Sequence, residues 1–143
     1  MTIEELRERL GEHATFLGWL HGEDLARGYA SADMFMFASQ TDTFGQVIVE
    51  AQASGLPVVA VNEGGPASLI EDGETGLLCP PDPHALATAV VSVATQPLLA
   101  SRLRRAALAA VGGRTWDAAL RLLADGYHRV LAEHEAGQAR QVA

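Results

Sequence analysis

The amino-acid sequence predicts an α/β fold in which a parallel sheet is flanked by helices, and three observations carry that reading. Met34-Phe35-Met36-Phe37-Ala38 is an unbroken apolar run of strand length, and continuous apolarity is what a parallel strand covered on both faces requires. Pro57-Val58-Val59-Ala60-Val61 is a second such run. Between them Val47, Ile48, Ala51 and Ser54 recur at helical spacing, so residues 34–61 read as one strand-helix-strand unit with a right-handed crossover.

The remaining elements follow from the same rules. Thr2 and Glu5 are spaced as a capping box, and Ile3, Leu6 and Leu10 repeat at helical intervals up to Gly11, so the chain opens with a helix. Thr15–Leu17 is a β-prone run closed by Gly18, and a polar turn through His21 and Gly22 leads to an amphipathic stretch over Glu23–Ala30. Met34–Ala38 is expected to be a central strand. After it, a polar loop over Ser39–Thr43 precedes the crossover helix, whose end Gly55 marks as a C-cap glycine. Asn62–Pro66 reads as a glycine-bearing loop, Ala67–Ile70 as a short helix, Asp72–Gly76 as a tight turn and Leu77–Cys79 as a last short strand.

Asp82 and Pro83 suit the N-cap and first positions of a helix running to about Ala94. Leu98–Val111 and Trp116–Leu131 give two more amphipathic helices joined at Gly112-Gly113, with Trp116 and Tyr127 as aromatics that anchor the last one. The expected organisation is one domain over residues 1–132 and a tail over 133–143 that frays, having little to bury.

Bulk properties narrow the function. A chain of 143 residues with 48% hydrophobic content buries one ordinary core. A net charge of −8 opposes a polyanionic partner unless cations cluster. Only Arg102, Arg104 and Arg105 fall close together, so no nucleic-acid partner is expected. The ten basic residues are all arginine. The chain therefore offers no lysine amine to any reaction. A single cysteine, Cys79, excludes an internal disulfide, fits a reducing compartment and has the apolar neighbours of a structural thiol. The N-terminus has neither a basic region nor an apolar run, and no segment approaches the length of a membrane span, so the expected location is cytoplasmic. His13, His21, His84, His128 and His134 have no ligand spacing, and no metal or other cofactor is expected.

Ligands of open parallel sheets bind beyond the carboxyl ends of the strands, which directs attention to the loops after Leu17, Ala38 and Val61. Ser39-Gln40-Thr41-Asp42-Thr43-Phe44-Gly45-Gln46 sets a carboxylate just before a glycine at a helix start, where free amides converge. A helix N-terminus favours negative charge, and Asp42 can accept hydrogen bonds from vicinal hydroxyls, so the pair suits a sugar attached to a phosphate. Glu50 lies eight positions after Asp42 among Val47, Ile48, Val49 and Ala51. A carboxylate there needs a partner, and a ribose diol would serve. The plainer alternatives are that Asp42 only caps the helix and that Glu50 pairs with an arginine.

Residues 39–55, SQTDTFGQVIVEAQASG, resemble the signature of the retaining GT-B glycosyltransferases (glycosyltransferase group 1, family 4), and the continuation PVVAVNEGGPASLIEDGETGLL is similar to the same family. The resemblance extends from Phe16 to about Leu131. It implies a Rossmann-like, nucleotide-sugar-binding C-terminal domain over residues 1–132. It also implies that Asp42, where the family most often has glutamate, hydrogen-bonds the donor sugar. The amides of Phe44, Gly45 and Gln46 would meet the sugar or diphosphate, and Glu50 would clasp the ribose. Leu20, in the loop Trp19-Leu20-His21-Gly22, corresponds to the position that reads the nucleobase through backbone groups. Gly64 and Gly65 match paired glycines before a short helix, where a turn requiring positive φ is an equal explanation.

The family's N-terminal acceptor domain and the opening strand of its donor domain have no counterpart in these residues. In relatives that opening carries an arginine and a lysine that neutralise the departing diphosphate, so the expectation is a donor-binding fragment inactive alone. It would take GDP-mannose or UDP-glucose as donor, with a lipid or glycan acceptor in the longer enzyme. An exposed sheet edge and uncovered face further predict a homo-oligomer. The alternatives are a non-catalytic nucleotide-sugar sensor, an epimerase of the same architecture, a phosphorylase, which would need the lysine this chain lacks, and a structural module that binds nothing.

Overall fold

A computed structural model describes residues 2–141, with side-chain surroundings as far as His134. The chain opens with α1 (Ile3–Leu10), a short 3₁₀ turn at Gly11–His13 and α2 (Gly22–Ala30). The capping box at the start of α1 is closed in both directions: Glu5 N donates to Thr2 Oγ1 at 3.2 Å and Thr2 N to Glu5 Oε2 at 2.7 Å. There follow β1 (Phe35–Phe37), α3 (Gln46–Ala53), β2 (Val58–Val61), α4 (Pro66–Leu69), β3 (Leu77–Cys79), α5 (Pro83–Thr95), α6 (Pro97–Gly112) and α7 (Trp116–Gln141).

The strands pair in the order β1-β2-β3, all parallel, with Phe35 opposite Val58 and Val59 opposite Leu77. All four residues of β2 are buried, and they divide between two faces as the period of two demands. Val58 and Ala60 join Ile48, Ala51, Leu56 and Ile70 in one cluster. Val59 meets Val93 of α5 and Leu103 of α6 in the other. Helices thus cover both sides of β2, which is why its apolar run has no polar alternation. Asp82 caps α5 by accepting from Ala85 N at 2.8 Å, with Pro83 in the first position. Cys79 is buried, its thiol donating to Ala60 O at 3.4 Å, and burial, aided by Asp72 and Asp82, pushes its pKa up.

Four expectations are corrected. Thr15–Leu17 forms no strand, because no neighbouring strand offers it a ladder; Phe16 instead packs under the Arg7 guanidinium, 5.2 Å from its ring centre. Phe35–Phe37 is an edge strand, not a central one, and Met36 is 53% exposed. The last helix does not stop near Leu131 but continues to Gln141, and residues 142 and 143 of the expected tail lie outside the described residues. Trp116 and Tyr127, expected to anchor the last helix, are 86% and 66% exposed.

Candidate functional site

The loop from β1 into α3 is folded around the Asp42 side chain. Asp42 Oδ1 accepts from Phe44 N at 2.9 Å and from Gly45 N at 2.6 Å. A carboxylate on one methylene reaches amides two and three residues ahead, which is the local bonding that aspartate favours before a helix. Asp42 is not the helix N-cap, as the plainer alternative had it: the N-cap is Gly45, without a side-chain cap bond, and one Asp42 oxygen instead closes a turn just before the helix. The amides of Phe44 and Gly45, expected to meet a ligand, donate inward to Asp42 instead. The Gln46 amide has no partner among the described residues and opens the positive end of α3.

The loop after β2 is tied to the same point. Gly65 N donates to the Asp42 carbonyl at 2.8 Å. A Cβ on Gly64, whose φ is +62°, would lie 2.7 Å from that carbonyl oxygen. One on Gly65 would lie 3.0 Å from three backbone atoms of Thr43, Phe44 and Gly45. The two loops thus meet backbone to backbone, and glycine is required at 64 for both its conformation and its lack of side chain. Gly45 is likewise left-handed at φ +61°, and a Cβ there would come within 2.8 Å of Leu69 Cδ1. These contacts bring Asp42, Phe44, Gly45, Gly64 and Gly65 together at the carboxyl ends of β1 and β2.

Phe44 is 82% exposed, and with Gln46 it lines a cavity of about 620 Å³ walled on the far side by Leu69, Arg114 and Trp116. Arg114 reaches back to donate to Leu69 O at 2.9 Å. This places an arginine beside the α3 N-terminus that sequence reasoning did not single out.

Glu50 is half-buried further along α3, and its protein partner is not an arginine. Tyr29, on α2, donates its hydroxyl to Glu50 Oε2 at 3.1 Å. Burial, then the hydrogen bond and the charge of Glu50, push the Tyr29 hydroxyl up to about 12. The Tyr29 ring packs tilted against Phe35, 5.8 Å between centres. It also lines a groove of about 260 Å³ with Leu17, Leu20, Leu25 and Phe35. Tyr29 thus shares a groove with Leu20 and a hydrogen bond with Glu50. Tyr29 stands 21 residues before Glu50, and no spacing rule links positions so far apart. One further polar group sits in the core: Gln52 is fully buried, with Nε2 donating to Thr75 O at 3.0 Å and Oε1 unpartnered among the described residues.

The family profile described as glycosyl transferases group 1 matches residues 1–96. The chain belongs to the group 1 glycosyl transferases. Over 105 residues it is 43% identical to a GDP-mannose-dependent alpha-mannosyltransferase of Mycobacterium tuberculosis, an alignment covering 72% of this chain and 27% of that protein. Among solved structures, the sucrose-phosphate synthase of Thermosynechococcus elongatus superposes with a TM-score of 0.78 at 34% identity, over 92% of this chain and 34% of that one. Anabaena Alr3699/HepE, solved in complex with UDP, superposes with a TM-score of 0.74 at 27% identity, over 89% of this chain and 36% of that one. This group 1 glycosyl transferase chain therefore spans about a third or less of the length of the relatives it matches. Among its described residues no group of three or more His, Cys, Asp or Glu is arranged to hold a metal ion, and no single helix is long and apolar enough to cross a membrane.

Proposed function

We propose that this chain is the donor-binding part of a retaining, metal-independent glycosyltransferase that moves a hexose, mannose or glucose, from a nucleoside diphosphate sugar to a lipid or glycan acceptor in the cytoplasm. The observation that carries the reading is the Asp42 knot. A carboxylate is fixed by two amides at the start of α3, tied to the next loop through its own carbonyl, at the carboxyl ends of adjacent parallel strands. Asp42 Oδ2 is left to accept from sugar hydroxyls. The Gln46 amide and the α3 N-terminus favour the sugar or the diphosphate, and Glu50 accepts from the ribose. The mannosyltransferase relative is GDP-mannose-dependent, and HepE is solved with UDP and with UDP-glucose, which supports the choice of donor class.

Transfer itself needs positive charge against the leaving diphosphate. With no lysine in the sequence, the chain alone binds donor without transferring the sugar. Isothermal titration with GDP-mannose, UDP-glucose and the bare diphosphates tests this: binding that Glu50→Ala abolishes supports the donor site and identifies the base. Absence of binding to all four ligands would remove the site while leaving the family assignment untouched.

A further inference from the structure

We infer that Tyr29 is a positioning residue of the nucleotide site: its hydroxyl holds Glu50 by Oε2 and so presents Oε1 to the vicinal hydroxyls of a nucleoside's ribose. The inference rests on the reading of Glu50 as the ribose acceptor. A glutamate side chain has three rotatable bonds, and a half-buried carboxylate with one ligand to catch binds best when its plane is already set. Nothing on α3 fixes Glu50; the 3.1 Å bond comes from α2. Tyr29 is itself held, since its ring packs on Phe35, which in turn stacks on Phe37 with ring centres 6.2 Å apart. Phe35 and Phe37 belong to β1, so the carboxylate is referenced to the same strand whose end carries the Asp42 loop.

The chemistry of the bond gives the site a direction. A carboxylate oxygen accepts at two positions, and Tyr29 uses one on Oε2. The remaining acceptors lie mainly on Oε1, which must therefore meet the ligand. Because the phenol is neutral, it orients the carboxylate without cancelling its charge, as an arginine partner would. The hydroxyl's proton is held firmly, as the upward shift of its pKa to about 12 indicates. Tyr29 also lines the groove formed by Leu17, Leu20, Leu25 and Phe35. One side chain thus touches both an apolar groove and the carboxylate read as the ribose acceptor.

The test is titration of the full chain with GDP and UDP and with their 2′-deoxy counterparts, using wild type, Tyr29→Phe, Glu50→Gln and the double variant. Tyr29→Phe removes one oxygen and keeps the ring contacts with Phe35. It should weaken ribonucleotide binding about three- to tenfold, weaken 2′-deoxynucleotide binding, which keeps one of the two hydroxyls, clearly less, and add no further loss in the Glu50→Gln background. Equal weakening of ribo- and deoxyribonucleotides, additive losses in the double variant, or unchanged binding in Tyr29→Phe would each overturn the inference while sparing the role of Glu50. If Glu50→Gln leaves ribonucleotide binding intact, or wild type binds no diphosphate, the reading of Glu50 falls and this one with it.

Discussion

At Asp42 the structural role that the two amide bonds show and the ligand role proposed for the free oxygen separate by substitution. Asp42→Ala leaves the amides of Phe44 and Gly45 without their acceptor and should cost about 1–2 kcal/mol in chemical denaturation, the range for a lost pair of hydrogen bonds to a carboxylate on the surface. Asp42→Asn keeps an oxygen at Oδ1 and should stay within about 0.5 kcal/mol of wild type. It should nevertheless weaken binding of the nucleotide sugar relative to the bare diphosphate, because the charge offered to the sugar is gone. Tyr29 makes a different prediction, in pH. The folded protein holds its phenolic proton more tightly than the unfolded chain does, so the stabilisation is complete below pH 10 and is lost as pH rises from 10 towards about 12. Few other groups titrate there, since the chain has no lysine and two tyrosines. Urea midpoints measured across that range should fall less steeply in Tyr29→Phe than in wild type. Of these residues, Asp42 and Glu50 were singled out as candidates because chemistry and spacing marked them within one loop and helix. Tyr29 was not, because its role arises only when α2 is folded against α3, and a tyrosine in an amphipathic helix has an ordinary core explanation.

Among the elements, the ones most legible in the sequence were those whose stability is local or fully buried. Val58–Val61 announced itself by unbroken apolarity, and Asp82-Pro83 by capping chemistry, and both are as expected. Thr15–Leu17 failed because a strand is not a local object: β-prone residues need a neighbour's amides and carbonyls, and the sequence window does not reveal whether one is present. The contact between the β1–α3 and β2–α4 loops was half legible. The glycines of Gly64-Gly65 stood out, but the carbonyl of Asp42 they pack against did not. Comparison with another left-handed glycine measures that contact. Gly73, at φ +75°, has nothing within 4 Å of an added Cβ, whereas Gly64 has the Asp42 oxygen at 2.7 Å. Gly73→Ala should cost about 1–2 kcal/mol for backbone strain. Gly64→Ala should cost about 1–3 kcal/mol more, because backbone must move, and should also reduce nucleotide-sugar binding by displacing the Asp42 loop. Equal losses in thermal denaturation would mean that the loops part easily.

For the whole molecule, what the chain leaves uncovered matters as much as its core. Among the described residues β1 has a neighbour on one side alone, and edge strands with open amides and carbonyls are sites of further pairing. On the long helix α7, Ala119, Leu122, Leu123, Gly126, Tyr127 and Val130 line one apolar groove, with Leu122 74% exposed. Their spacing is that of a helix face built to be buried. An exposed stripe of this kind on a helix can pair with its own copy about a two-fold axis, because the same residues then meet on both sides. We therefore propose that the chain self-associates through α7, and sedimentation across a wide concentration range should show a dimer or larger species dissociating on dilution. Leu122→Glu together with Val130→Glu should shift the distribution to monomer while leaving the thermal midpoint of the diluted protein unchanged, since neither side chain belongs to the two clusters around β2. A wild-type chain that sediments as a monomer at every concentration would show that this face stays in solvent. If the double variant still dimerises, the contact lies elsewhere, and the open edge of β1 becomes the surface to substitute, with Met36→Lys placing a charge on its exposed position.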